Sequence, residues 1–371
     1  MKFIQFYDRS ITKYFALISV ALLSSCSTLH PELISDSKLT AHGTGAPALA
    51  AAETQAVATV ALDSADDPEI WVDAKDSGRA LIFATDKKAG LYVYDLTGRQ
   101  VQFLPVGPMN NVDLRSGLKI DGLPETVIAA SDRVKGGAAL FKLDPVTLQT
   151  TAWGFVAMPT SEAYGFCMGI TKANQLTFIM VGKNGDVTQS VITSENGHPK
   201  ASLVRQFAVG TQSEGCVLDD ITGRLYIAEE NVALWQYSLD PASGTARTAV
   251  EALPSQKLVA DIEGLTLLRE GAQTFLIASS QGDSAFAVWR VEGDTPSYQG
   301  RFSVYPGHGI DAVTGTDGVA ALGGQVGPYG KGVVVMQDDS DTDGETPATA
   351  RQRQNFKIVD WNEIRKSLAI Q

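Results

Sequence analysis

A turn-and-acid segment leading into an apolar strand recurs six times along this chain, at intervals near fifty residues. Such a repeat restricts the fold more than any other feature, because one unit of that size cannot bury its apolar face alone. The copies are Asp66-Asp67-Pro68-Glu69-Ile70-Trp71, Asn111-Val112-Asp113-Leu114, Ala163-Tyr164-Gly165-Phe166, Ser213-Glu214-Gly215-Cys216, Ile262-Glu263-Gly264-Leu265 and Thr316-Asp317-Gly318-Val319. Taking positions 67, 113, 164, 214, 263 and 317 as equivalent gives spacings of 46, 51, 50, 49 and 54 residues. Each copy is followed by an apolar run with a polar end, at 81–87, 127–133, 178–183, 225–230, 276–281 and 333–338. A third, alternating strand comes next, as at 90–96 and 233–239. Six units of three or four strands, with no helical period between them, predict an all-β fold, a six-bladed β-propeller. A short terminal helix is expected within 361–370.

The N-terminus reads as an address. Residues 1–25 carry Lys2, Arg9 and Lys13 ahead of a short apolar stretch that ends in Leu23-Ser24-Ser25-Cys26, a pattern similar to a bacterial lipobox. On that reading Cys26 is the lipidated first residue of an exported chain. Ser27 after it resembles an outer-membrane sorting choice. Residues 26–56, rich in Ala, Ser and Thr, read as a flexible tether, and the propeller is expected to span 57–371. The formal net charge of −12 disfavours nucleic-acid binding through a basic surface. The chain has no HExxH, GxSxG or GxxxxGK[ST] motif, which weighs against zincin, α/β-hydrolase and P-loop chemistry. A closed propeller of this size is expected to be a monomer.

Propeller geometry gives the repeats a common destination. The loop before each innermost strand and the loop after the second strand open on the same face. One end of the channel therefore gathers Asp66, Asp67, Asp113, Glu214, Glu229, Glu230, Asp261, Glu263, Asp311 and Asp317, together with Lys87, Lys88, Arg133 and Lys183. Like charges about 4 Å apart repel by several kcal/mol at the effective dielectric of a protein surface. Hard divalent cations, Ca²⁺ above all, resolve such crowding, because they take six to eight oxygen ligands. Cations interleaved with the acids suit a multiply charged anion such as phosphate.

These residues resemble the β-propeller phytases, over about residues 56–365. The resemblance rests on Asp66-Asp67-Pro68-Glu69-Ile70-Trp71, Lys87-Lys88-Ala89-Gly90-Leu91, Asn110-Asn111-Val112-Asp113-Leu114-Arg115, Tyr164-Gly165-Phe166, Gly182-Lys183, Glu214-Gly215, Ala228-Glu229-Glu230, Asp261-Ile262-Glu263-Gly264-Leu265, Ala278-Ser279-Ser280-Gln281-Gly282, Thr316-Asp317-Gly318 and Asn355-Phe356-Lys357. It implies a calcium-dependent phosphomonoester hydrolase that acts on myo-inositol hexakisphosphate (phytate) and other inositol phosphates by direct attack of calcium-activated water, without a phosphoenzyme. Carried over by motif, the phosphate grip falls on Lys87, Arg133, Tyr164 and Lys183, with Lys88 at a neighbouring phosphate subsite. The active-site calcium ligands fall on Asp66, Glu214, Glu229, Asp261, Glu263 and Asp317. Asp67, Asp311, Gln337 and Asp338 correspond to a buried structural calcium site. Among these residues Lys87, Arg133, Tyr164, Lys183, Glu214 and Glu263 carry the catalytic assignment. The chain departs from the family at Asp283, where an Asn is usual, and at Gly315, where an Asp is usual.

Two other functions compete. A non-catalytic calcium-binding propeller that binds an anionic ligand or partner would keep the acids without turnover. A calcium-dependent lactonase would need few basic groups, which Lys87, Arg133 and Lys183 oppose. Cys167 and Cys216 fall on the inner strands of successive blades and read as buried small hydrophobes, with a disulfide between them left open.

Overall fold

A computed structural model describes residues 43–61, 63–293, 295–342 and 353–371. Six sheets, antiparallel but for one added strand, stand around one axis as a six-bladed β-propeller. Their innermost strands are Ala65–Asp73, Met109–Ile120, Ala163–Ile170, Ser213–Asp219, Leu265–Glu270 and Val319–Gly323, which define blades 1 to 6. The second strands are Asp76–Asp86, Leu123–Asp132, Leu176–Gly182, Arg224–Glu229, Gln273–Ser280 and Gly332–Asp338.

The apolar runs that mark the second strands follow from where they lie. A strand in the middle of a blade has a sheet packed on each face, so successive side chains are buried on both sides. In blade 1, Leu81, Ile82, Phe83 and Ala84 are all buried despite their alternating directions. Six apolar clusters result, one between each pair of neighbouring blades. Their largest members include Phe83 and Phe141 between blades 1 and 2, Phe166 and Phe178 between blades 2 and 3, and Tyr226 and Trp289 between blades 4 and 5.

The chain closes the ring with residues that the sequence assigned to a tether. Ala52–Glu53 pairs with Asn355–Asp360 as the outermost strand of blade 6. Ala46–Leu49 lies parallel to Ser297–Tyr305 and gives blade 5 a fifth strand. The propeller therefore begins by residue 43, not 57. The small residues that resemble a linker are there because the chain lies flat on its neighbour. A Cβ at Gly45 would sit 2.2 Å from the backbone carbon of Phe302. The signal segment 1–25 and Cys26 lie outside the described residues.

The terminal helix forms at Trp361–Ser367, within the expected span. Asp360 caps it by accepting from the Asn362 N–H, and Trp361 is wholly buried with its indole N–H on Glu270, 2.9 Å away.

Cys167 and Cys216 are bonded to each other. They lie on the inner strands of blades 3 and 4, with their Cα atoms 5.6 Å apart. The hydrophobe reading holds for their burial and fails for their chemistry, since contact between neighbouring blades brings together two thiols 49 residues apart. Closing a loop of that length restricts the unfolded chain and stabilises the fold by about 2–4 kcal/mol. Cys167→Ser/Cys216→Ser should therefore unfold at clearly lower denaturant concentration than the parent, measured by circular dichroism in urea. An unchanged midpoint would show that the bond does not stabilise the fold.

Candidate active site

Four of the six inner strands begin with an irregularity that aims one side chain into the mouth of the channel. The pairing slips between Ala65 and Pro68, between Met109 and Val112, between Ala163 and Gly165, and between Ser213 and Cys216. These are β-bulges, which re-aim a side chain where a strand ends. Hydroxyls on the second strands hold them: Thr85 accepts from the Asp67 N–H, Ser131 from Asn111 and Ser279 from Gly264. The equivalent mouth positions are thus Asp66, Asn110, Tyr164, Glu214, Glu263 and Asp317. This corrects the repeat phase in blades 1 and 2. Asp67 instead turns down the channel and accepts from the Val112 N–H at 3.0 Å, and Asp113 accepts from Arg115 and the Met168 N–H below it.

A second ring follows the ends of the second strands. Asp86, Asp132, Gly182 and Glu229 are equivalent, each the last residue of its strand. Asp86 and Asp132 spend their carboxylates on the turns that follow. The next residues, Lys87, Arg133, Lys183, Glu230 and Gln281, face the mouth. Its two halves differ in charge, with cations on blades 1 to 3 and acids or amides beyond.

In the cationic half, the buried Lys87 ammonium lies 2.6 Å from Asp63, 2.8 Å from Asp317 and 3.1 Å from Asp66. Burial alone would lower its pKa, but the carboxylates of Asp317, Asp66 and Asp63 raise it well above the usual lysine range. Lys88 stays half exposed at the rim, 3.8 Å from Asp63. Arg133 and Lys183 both lie over the Tyr164 ring, 5.5 and 5.2 Å from its centre. The Tyr164 hydroxyl lies near enough to Glu214 to lower the pKa of that carboxyl.

In the acidic half, Glu214, Glu230 and Glu263 each bring a carboxylate oxygen within 4.8 Å of the others. Burial raises the pKa of all three, and their mutual repulsion raises Glu230 and Glu263 further. Asp261 is raised by its own burial and stands close enough to Glu230 to add to its shift. Glu230 Oε1, Glu263 Oε2 and Asp66 Oδ2 are buried without a hydrogen bond. An all-oxygen set with orphaned buried acceptors fits a hard divalent cation.

Glu229 does not join this set. One of its oxygens accepts from the Thr211 N–H and hydroxyl, the other from Trp235 Nε1 at 2.8 Å. Glu230 takes the place assigned to it, because adjacent residues at a strand end point to opposite sides. The phase of Lys87, Arg133 and Lys183 would have found Glu230.

Of the four residues assigned to a buried structural calcium, Asp311 and Asp338 are drawn together by a lysine. Asp67 lines the channel, and Gln337 accepts from the Asp317 N–H at 2.8 Å. Asp311 and Asp338 instead share the wholly buried Lys357 ammonium with Glu53, at 2.5, 3.1 and 2.6 Å. Beside it, Glu53, Asp311 and Asp341 offer oxygens within 4.8 Å of one another, a better candidate for a second cation. Glu53 and Asp341 escaped notice because one lies in the apparent tether and the other in an acidic loop. Below the mouth runs a channel of about 580 Å³, lined by Asp67, Glu69, Asp113, Arg115, Asp220 and Arg269 among others.

A family model described as Phytase matches residues 13–370. The 3-phytase of Bacillus subtilis (strain 168) is 35% identical over 319 residues, spanning 82% of this chain and 81% of that protein. Among solved structures, a structural-genomics protein of unknown function from Bacteroides thetaiotaomicron aligns with a TM-score of 0.48 at 9% identity, over 85% of this chain and 76% of that one.

Two outcomes follow from the geometry. Glu230 and Glu69 are pushed up to about 8 by burial, with Glu214 and Asp113 the nearest acids that add to it. Such a group keeps its proton in the folded protein at pH values where the unfolded chain, near 4.5, has lost it. Its contribution to stability therefore falls as pH rises from about 4.5 to 8. In chelator the melting temperature should fall across that window, and added Ca²⁺ should restore more at the upper end. A rise in chelator would contradict the arrangement. By calorimetry, Glu230→Gln should weaken Ca²⁺ binding by about tenfold or more, and Glu229→Gln by clearly less.

Proposed function

The chain belongs to the phytase family and is a phytase, and on that premise we propose that it releases phosphate from phytate in a calcium-dependent reaction by direct attack of an activated water. The observation that carries this reading is the division of one mouth into two charged halves. Lys87, Arg133 and Lys183 stand on three successive blades, facing Glu214, Glu230 and Glu263. A phosphomonoester needs both halves: cations to hold its oxygens, and a cation site that carries charge opposite them.

Asp66, Glu214, Glu230, Glu263 and Asp317 would hold the calcium, with Asp261 at the edge. When bound, the ion supplies positive charge against the developing phosphoryl charge and lowers the pKa of a coordinated water. The other steps belong to the chain's own residues. Arg133 and Lys183 grip phosphate oxygens by charge-assisted hydrogen bonds, and the Tyr164 ring beneath them fixes their heights. Lys87 can turn from Asp66 and Asp317 toward phosphate once those carboxylates have another cation to face. The half-exposed Lys88 is placed to meet a second phosphate on the same ring.

We also propose that the protein is exported and lipid-anchored through Cys26 at the bacterial cell envelope, as its N-terminal sequence suggests. The Cys167–Cys216 bond supports an oxidising compartment independently of that sequence.

Phosphate release from phytate should require Ca²⁺ and stop in EDTA. Lys87→Ala and Glu263→Ala should each lower turnover by about a hundredfold or more with the circular dichroism spectrum unchanged. Calcium binding without any phosphate release would instead mark a non-catalytic propeller, and near-full activity in either variant would remove that residue from the site.

A further inference from the structure

Asn110 is the one carboxamide among the six equivalent mouth positions, where Asp66, Glu214, Glu263 and Asp317 are acids and Tyr164 is a phenol. It is wholly buried. Its Oδ1 accepts from Arg133 Nη1 at 3.2 Å, and its Nδ2 donates to Glu214 Oε1 at 2.6 Å. The chemistry of the partners fixes this orientation. A guanidinium has no acceptor and an ionised carboxylate has no donor, so the amide can face them in only one way.

The other side of the guanidinium is also held. Nε donates to Glu162 Oε1 at 2.7 Å, and Nη2 makes a further short contact with the same oxygen. Of the five N–H groups of an arginine, these contacts use three and leave one on each Nη. A guanidinium with one N–H left on each Nη can still hold phosphate oxygens by charge-assisted bonds.

We infer that Asn110 is a positioning residue that joins the two halves of the mouth, holding the Arg133 guanidinium at one end and the Glu214 carboxylate at the other, with Glu162 completing the clamp on Arg133. This rests on the phytase reading proposed above and adds how its anion and cation subsites are held in register. An acid at position 110 would accept from Arg133 but could not donate to Glu214. A hydrophobe would take one hydrogen bond from each partner in a buried place, where an unpaired polar group is costly. The amide does both without adding a charge to a crowded cluster.

The test uses the full-length protein and two probes, Ca²⁺ alone and inorganic phosphate alone, each titrated by calorimetry. Asn110→Ala should weaken both affinities by about tenfold or more, the size of effect seen when a residue that orients a metal ligand is removed. Arg133→Lys keeps the charge but loses the contact with Asn110. It should also weaken Ca²⁺ binding, although Arg133 touches no carboxylate assigned to the cation. A purely structural role for Asn110 would lower the melting temperature without moving Ca²⁺ affinity in the Arg133→Lys protein. Ca²⁺ affinity within about twofold of the parent in both folded variants would overturn the proposal and leave the phytase reading intact. If Asn110→Ala does not fold, the Arg133→Lys result decides. If the parent protein binds neither probe, the calcium-dependent reading falls, and the clamp with it.

Discussion

Each blade of this ring buries both faces against a neighbour, so the apolar surface of the first blade and of the last stays wet until those two meet. Closure is thus the contact on which everything else depends. It is made by main-chain pairing between residues near the two ends of the chain, Ala52 with Ile358 and Glu53 with Lys357. The apolar cluster between blades 6 and 1 then seals it, with Ile70, Tyr92 and Tyr94 against Val333, Val335 and Phe356. The functional site inherits this constraint. Lys87 comes from blade 1 and Asp317 from blade 6, so the ion pair at 2.8 Å between them exists only in the closed ring.

The second theme is electrostatic. A propeller mouth places the same sequence position of every blade around one small circle. Where that position is an acid in several blades, repulsion and burial raise the carboxyls together, as at Glu214, Glu230 and Glu263. The chain relieves part of this with its own cations, Lys87 at the mouth and Lys357 between Asp311, Asp338 and Glu53. Even beside Lys357, burial holds Asp338 up at about 6. Buried charge of this kind is poor for stability but well suited to a site that exchanges cations and binds a highly charged anion.

Most of the site was legible because repetition and resemblance point the same way. Lys87, Arg133, Tyr164, Lys183, Glu214, Glu263 and Asp317 all fall at the mouth as their motifs predict. Three of the departures share one cause, a phase mistaken by one to three residues. Asp67 sits within its bulge and Asp113 beyond its own, both facing down the channel, and Glu229 sits one residue before the mouth. A bulge adds a residue without changing composition, so pattern matching on acids slides across it. The repeat of Thr85, Ser131 and Ser279, which hold the bulges, was the finer ruler.

By itself the sequence determined the repeat, and with it the all-β ring, the face on which loops converge and the mixture of charges there. Those follow from periodicity and residue type, which are local properties of the chain. Only the tertiary structure decided which residues pair across blades. It joined Cys167 to Cys216, set Lys357 among Glu53, Asp311 and Asp338, and placed Asn110 between Arg133 and Glu214. It also took residues 46–53 from an apparent tether into two sheets. These contacts join segments from about 25 to 300 residues apart, and their partners are chosen by the closing of the ring rather than by anything adjacent in the chain.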